Sequence, residues 1–197
     1  MSDRLATLWN ALLATRRKAD RVAENSSPGI YALFLDRGSL AGILPSDDGL
    51  LYIGMTGSSL TARNHIFHAS SGFSTLRRSL GAILKADLDL KAIPRSSGSK
   101  GSHFKFLPDG EQRLTDWMKA HLSYGAVPVM SDIRKTENRL ILDQRPPLNL
   151  KGWKNPQAAL IKSLRAHCAH QGQAIVQHLC CIPMYSGNFL ERDRVAH

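Results

Sequence analysis

Leu50-Leu51-Tyr52-Ile53-Gly54-Met55-Thr56-Gly57, read with Pro28-Gly29-Ile30-Tyr31 upstream, is the stretch that decides the fold. Two short apolar runs each place one tyrosine beside one glycine, and a polar segment holding Pro45, Asp47, Asp48 and Gly49 separates them. Apolar runs bounded by turn residues read as paired strands, here Ile30–Leu35 and Leu50–Ile53 side by side in an antiparallel sheet. The connection over 36–49 is longer than a tight hairpin needs and predicts a surface loop. Gly54 and Gly57 mark a turn, and Ser58 or Ser59 can cap a following helix. That helix carries Leu60, Arg63 and Phe67 at three- and four-residue spacing, which puts Arg63 on an apolar face. A guanidinium there needs an anionic partner or an open cleft.

Upstream, Leu5, Leu8, Trp9, Leu12 and Leu13 recur as one face of a helix over 3–24, with basic residues near its end opposing the helix dipole. Downstream, Ser74–Ala86 reads as a helix with Arg77 and Arg78 flanking its apolar stripe. Leu88–Ile93 and His103–Phe106 read as short strands around a flexible segment, RSSGSKGS, at 95–102. Glu111–Leu122 reads as a helix and Ala126–Val129 as a short extended piece. Ser131–Gln144 is a helix with Glu137 in the middle of its Ile133, Leu140, Ile141 stripe. Pro146-Pro147 stops it, and Leu148-Asn149-Leu150 runs on extended. A last helix spans about Pro156–His170. These readings divide the chain into an N-terminal helix (1–25), a central domain (26–152) and a C-terminal tail (153–197).

The 197 residues carry a net charge of +10, spread as +2, +5 and +3 over those three segments. A basic surface without a basic low-complexity tail points to a polyanionic ligand. No apolar run approaches the ~20 residues of a membrane span, and the charged N-terminus does not suit a signal peptide, so no membrane partner is expected. Cys168, Cys180 and Cys181 make no disulfide framework, and the expected location is cytoplasmic. His167, His170 and His178 beside those cysteines offer zinc-type ligands, but adjacent cysteines and the lack of a CxxC pair favour a plain helix with a loose end.

The tripeptides Gly29-Ile30-Tyr31 and Tyr52-Ile53-Gly54 are the two signatures of the GIY-YIG nuclease family, which this chain resembles over roughly 28–152. The resemblance implies an α/β fold of the α+β type, a small, mainly antiparallel three-stranded central sheet flanked by helices. It also carries a site set onto Tyr31, Tyr52, Arg63, Glu137 and Asn149, with Gly29 and Gly54 as motif glycines. The implied chemistry is metal-dependent hydrolysis of DNA phosphodiesters. Glu137 would hold one Mg2+ or Mn2+, since a single carboxylate suits a cation that keeps most of its waters. Arg63 would clamp the phosphate with its planar fork. Tyr31 would be the base and Tyr52 its partner or a phosphate ligand, or the two roles would be exchanged, and Asn149 would hold the strands together. Arg77, Arg78, Lys85 and Lys100 are the expected DNA contacts. The chain departs from many members in carrying Met55 after the second motif, and Phe67 rather than histidine four residues after Arg63, with His65 and His68 nearby. The alternative function is a nucleic-acid-binding module of the same fold without catalysis. Supercoiled-plasmid nicking separates the two.

Overall fold

The structure is a computed structural model. It describes residues 3–180 apart from 19–20, 22–23, 37, 47, 65–69 and 97–102, with the backbone alone described over 175–180. In chain order its elements are α1 (Asp3–Ala14), β1 (Arg17–Lys18), β2 (Gly29–Leu35), β3 (Leu50–Thr56), α2 (Thr75–Ile83), β4 (Ala92–Pro94), β5 (Phe104–Phe106), α3 (Pro108–His121), β6 (Leu122–Pro128), α4 (Ile133–Gln144) and α5 (Ala158–Cys180).

Strand β2 is buried at every position, because it lies inside the sheet and is covered on both faces. The sheet runs β1-β6-β2-β3, antiparallel throughout. Alternation along β2 divides the core. Tyr31, Leu33 and Leu35 face one apolar layer with α2, α3 and α5, while Ile30, Ala32 and Phe34 face a second layer with α1 and α4. A bulge at Leu51 interrupts the β2–β3 register between Leu33 and Phe34. The sheet therefore has the three long strands that the sequence suggests and a two-residue edge, β1, that it does not.

That edge explains a correction. The N-terminal helix, expected over 3–24, ends at Ala14. Thr15 turns its hydroxyl onto the Ala11 carbonyl at 2.9 Å and accepts the Ala126 N–H at 3.2 Å. Arg16 then stacks on the Phe34 ring, 4.5 Å from its centroid, and pairs with Asp36 at 2.6 Å, while Lys18 reaches the same carboxylate at 2.8 Å. The basic residues at this end hold the chain to the sheet instead of continuing the helix. Strand β6 likewise begins at Leu122, four residues before the extended piece expected from Ala126.

The second sheet, β4 and β5, packs on α5, and Ile161, Cys168 and Ala169 of that helix join the larger apolar layer. The packing thus runs through residue 152 into the segment read as a tail, and α5 reaches Cys180, beyond the expected end at His170. Among the described residues no three or more of His, Cys, Asp and Glu come together as a metal-binding cluster, in the C-terminal helix or elsewhere. Cys181 lies outside them, and the side chains of His178 and Cys180 are not described. No helix among the described residues is long and apolar enough to cross a membrane.

Between α2 and α3 lies a buried ion pair. Arg77 is 0% exposed and Glu111 6%. The Arg77 Nη2 meets Glu111 Oε2 at 3.0 Å, and Ser71 N, Ser71 Oγ and Phe106 N donate to the same carboxylate at 2.7, 3.0 and 3.1 Å. Four donors thus fill the acceptor positions of that acid, which is what makes a buried charge tolerable.

Candidate active site

Three tyrosines share one face of the sheet because the antiparallel register puts them there. Tyr31 on β2 stands opposite Gly54 of β3 and Ala126 of β6, and its diagonal neighbours are Tyr52 and Tyr124, both opposite Leu33. The Tyr31 ring stacks on Tyr124 at 5.6 Å and lies 6.2 Å from the Tyr52 ring. A Cβ at Gly54 would collide with the Tyr31 hydroxyl, and one at Gly29 with the Val127 carbonyl and Leu60. The two motif glycines therefore make room, one for a phenol and one for neighbouring backbone. Tyr124 was not anticipated from the sequence. The alternation of Leu122, Tyr124 and Ala126 on one face is the signal that finds it. Its hydroxyl donates to the Leu60 carbonyl at 3.2 Å.

Arg63 does not sit on a described helix. Residues 59–64 make one turn, closed by Arg63 N donating to Ser59 O at 3.1 Å, with the Ser59 hydroxyl accepting Ala62 N at 3.1 Å. Leu60 N and Thr61 N bond the carbonyls of Ser27 and Asn25, which stitches the turn to the entry of β2. His65, Phe67 and His68 lie outside the described residues. Arg63 is exposed, and its charge acts on Tyr31, Tyr52, Tyr124 and Glu137.

Glu137, on α4, reaches the end of β3, where its carboxylate accepts the Met55 N–H. It lines a cleft of about 700 Å³ with Tyr52 and Asn149, and it is the sole acid among the described residues lining it. Asn149 is 7% exposed and acts as a piece of strand. Its Nδ2 donates to Ile53 O at 2.8 Å, its Oδ1 accepts Ile53 N at 2.9 Å, and Leu148 N donates to Leu51 O at 2.9 Å. The free edge of β3 is thereby covered, and the cleft wall is fixed to the strand that carries Tyr52.

Burial raises the Tyr31 phenol far above its ordinary value and the nearby Tyr52 raises it further, with Arg63 working against both. Burial raises Tyr52 as well, the Glu137 carboxylate adds to that, and Arg63 and a hydrogen bond with Tyr31 oppose it. Glu137 is raised by burial, against the pull of Arg134, the Met55 N–H and Arg63. A half-buried carboxylate held by one N–H and facing an open cleft fits a hard divalent cation, which takes few protein oxygens and keeps its waters.

The expected DNA contacts are placed differently. Arg77 is the core ion pair described above and has no surface to offer a phosphate. Arg78 is 6% exposed and donates to the Gly72 carbonyl at 2.7 Å. Lys85 is half-buried beside Cys168, and Lys100 lies outside the described residues. Both arginines fall on α2, whose eight buried positions leave it almost no solvent face. The cleft instead takes Lys162 and Arg165 from α5. Their spacing of three, just outside the Ile161, Leu164, Cys168 stripe, was the available signal.

A family model described as the GIY-YIG catalytic domain matches residues 31–167. No curated protein and no solved structure matches the chain. The family model spans β2 from Tyr31 onward, β3 to β6, the three tyrosines, Arg63, Glu137 and Asn149, and it runs on into α5. The chain belongs to the GIY-YIG nuclease family.

Proposed function

We propose that the chain is a metal-dependent DNA endonuclease acting in the cytoplasm. The observation that carries this reading is the Glu137 carboxylate, the sole acid among the cleft's described lining residues, within the field of Arg63 and beside Tyr52. In a binding-only module such a carboxylate would repel the phosphates it faces unless a cation lay between them.

Glu137 is the residue that would hold Mg2+ or Mn2+. When bound, that cation supplies charge neutralisation at the phosphate and its leaving oxygen. The remaining work belongs to the chain. Arg63, which is exposed, holds the scissile phosphate through its guanidinium fork. Of the two motif tyrosines, Tyr52 is the half-buried one that lines the cleft, whereas Tyr31 is 1% exposed beneath Gly54. Tyr52 is accordingly the phenol that meets the attacking water, and Tyr31, bonded to it, is its positioning partner. Arg63 lowers both phenols against the effect of burial, so it is also the residue that brings a phenolate within reach. Asn149 fixes β3 and the cleft wall in one frame.

Nicking of supercoiled plasmid by the full chain in magnesium or manganese, with chelator as control, tests this. The expected result is cation-dependent nicking by the wild type and none by Glu137→Ala. DNA binding without nicking in either cation would leave the binding-module reading in its place.

A further inference from the structure

Three arginines from three separate stretches gather where Arg165 lines the cleft. Arg78 belongs to residues 49–86, Arg95 to 90–108 and Arg165 to 144–190, and none of those stretches contains an aspartate or glutamate. The fold brings them together because α5 packs on both α2 and β4, with Gly172 against the Ile93 backbone. The ion pairs of the described residues use Arg16, Lys18, Arg77 and Arg113, and none includes these three. Arg78 is 6% exposed, donates to the Gly72 carbonyl at 2.7 Å, and its Nε has no partner among the described residues. Burial, with Arg165 and Arg95 beside it, pulls its guanidinium down to about 10, which leaves it charged at neutral pH. His103 is lowered by desolvation and by the same three arginines. Like charges without an acid repel, and an arrangement that keeps them together suits an anion. Two further observations indicate which anion. Thr75 and Arg165 line the cleft that holds Tyr52 and Glu137, and Arg78 approaches the Thr75 hydroxyl at 3.4 Å. Phe73 is 79% exposed, with the Arg95 guanidinium 5.4 Å from its ring centroid.

We propose that Arg95 and Arg165, with the buried Arg78 adding its charge behind them, form a second backbone-phosphate site of the same cleft, and that Phe73 beside Arg95 stacks an unpaired base of the strand flanking the cut. This deepens the nuclease reading and rests on it. The substrate class it names is nucleic acid with a single-stranded extension next to the duplex, since stacking on an exposed ring needs a base free of its pair.

The test measures binding of fluorescein-labelled oligonucleotides to the full chain in calcium. One is a blunt duplex and the other the same duplex with a single-stranded extension, each titrated across a salt series. Arg78 holds buried carbonyls, so the variants are Arg95→Gln with Arg165→Gln, and separately Phe73→Ala. The double variant is expected to bind the extended substrate about tenfold more weakly, with its salt slope reduced by about one. Phe73→Ala is expected to weaken the extended substrate several-fold and leave the blunt duplex unchanged. Unchanged affinity and slope in the double variant would overturn the site. Equal loss on both substrates in Phe73→Ala would overturn the unpaired base. Inorganic phosphate bound by the wild type and lost in the double variant, with oligonucleotide affinity unaltered, would make this a free-phosphate site and likewise refute the proposal. Cleavage is not the readout, so a wild type that binds but never nicks in magnesium defeats the nuclease reading separately.

Discussion

Glu111 and Glu137 are both glutamates on helices, both removed in part from water, and the fold treats them in opposite ways. Glu111 has four donors on its two oxygens, including the Arg77 guanidinium and two backbone N–H groups. Glu137 takes one backbone N–H, from Met55, and turns toward a cleft of about 700 Å³. A carboxylate whose lone pairs are all used is part of the framework, and one that keeps them open is available to a ligand. The neighbours Arg77 and Arg78 repeat the contrast. One is closed by an acid, and the other sits with two more arginines and none.

Removing Glu111 should have the largest effect on stability. Glu111→Ala leaves Arg77 charged, fully buried and short of its acid, together with the N–H groups of Ser71 and Phe106. The expected loss is ~3–5 kcal/mol in chemical denaturation. A loss below about 1 kcal/mol would mean that water reaches the pair, and the contrast with Glu137 would lapse.

Asn149→Ala should come next. It removes both hydrogen bonds to Ile53 and leaves that buried N–H and carbonyl unmatched at the edge of β3. The expected cost is about 1–3 kcal/mol. Hydrogen exchange should rise at Ile53 rather than across the sheet. Exchange that rises everywhere equally would show that the asparagine stabilises the whole fold and not this edge. Tyr124→Phe is smaller still, about 1 kcal/mol, because it deletes only the bond to the Leu60 carbonyl while the ring keeps its stack on Tyr31.

Local pattern was enough to read the paired strands, the two motif glycines and Glu137 in its helical stripe, because each depends on residues within one element. What escaped the sequence depends on contacts between elements. The end of α1 at Ala14 follows from Arg16 and Lys18 reaching Asp36, and nothing in the helical periodicity announces that partner. Arg77 and Arg78 look like solvated charges beside an apolar stripe until α3 and α5 cover them. Tyr124 was hidden by a boundary, since the α3 helix pattern runs into β6 with no turn residue between His121 and Leu122. The role of α5 was hidden for a further reason. A cleft wall contributed by a distant segment leaves no mark in the spacing of that segment itself.

Glu137→Ala should change stability least, and it is the substitution that best separates the two acids. Without a cation the carboxylate gains one N–H, and burial raises its pKa above the ordinary value. A carboxylate with a raised folded pKa is a net cost wherever it is ionised, and the cost disappears as pH falls below that folded value. Alanine removes this cost at neutral pH and is the better helix former by a few tenths of a kcal/mol. What alanine loses is the bond to Met55 and some contact with the cleft wall. The terms oppose one another, and the expected net change is within about 0.5 kcal/mol of zero. Thermal melts of wild type and variant in chelator measure it directly. Magnesium added to both should raise the wild-type melting temperature and leave the variant where it was, because a ligand that binds only the folded state stabilises only the chain that can hold it. Collapse of the variant in chelator would place Glu137 with Glu111 as a framework acid. An equal magnesium shift in both chains would put the cation somewhere other than this carboxylate.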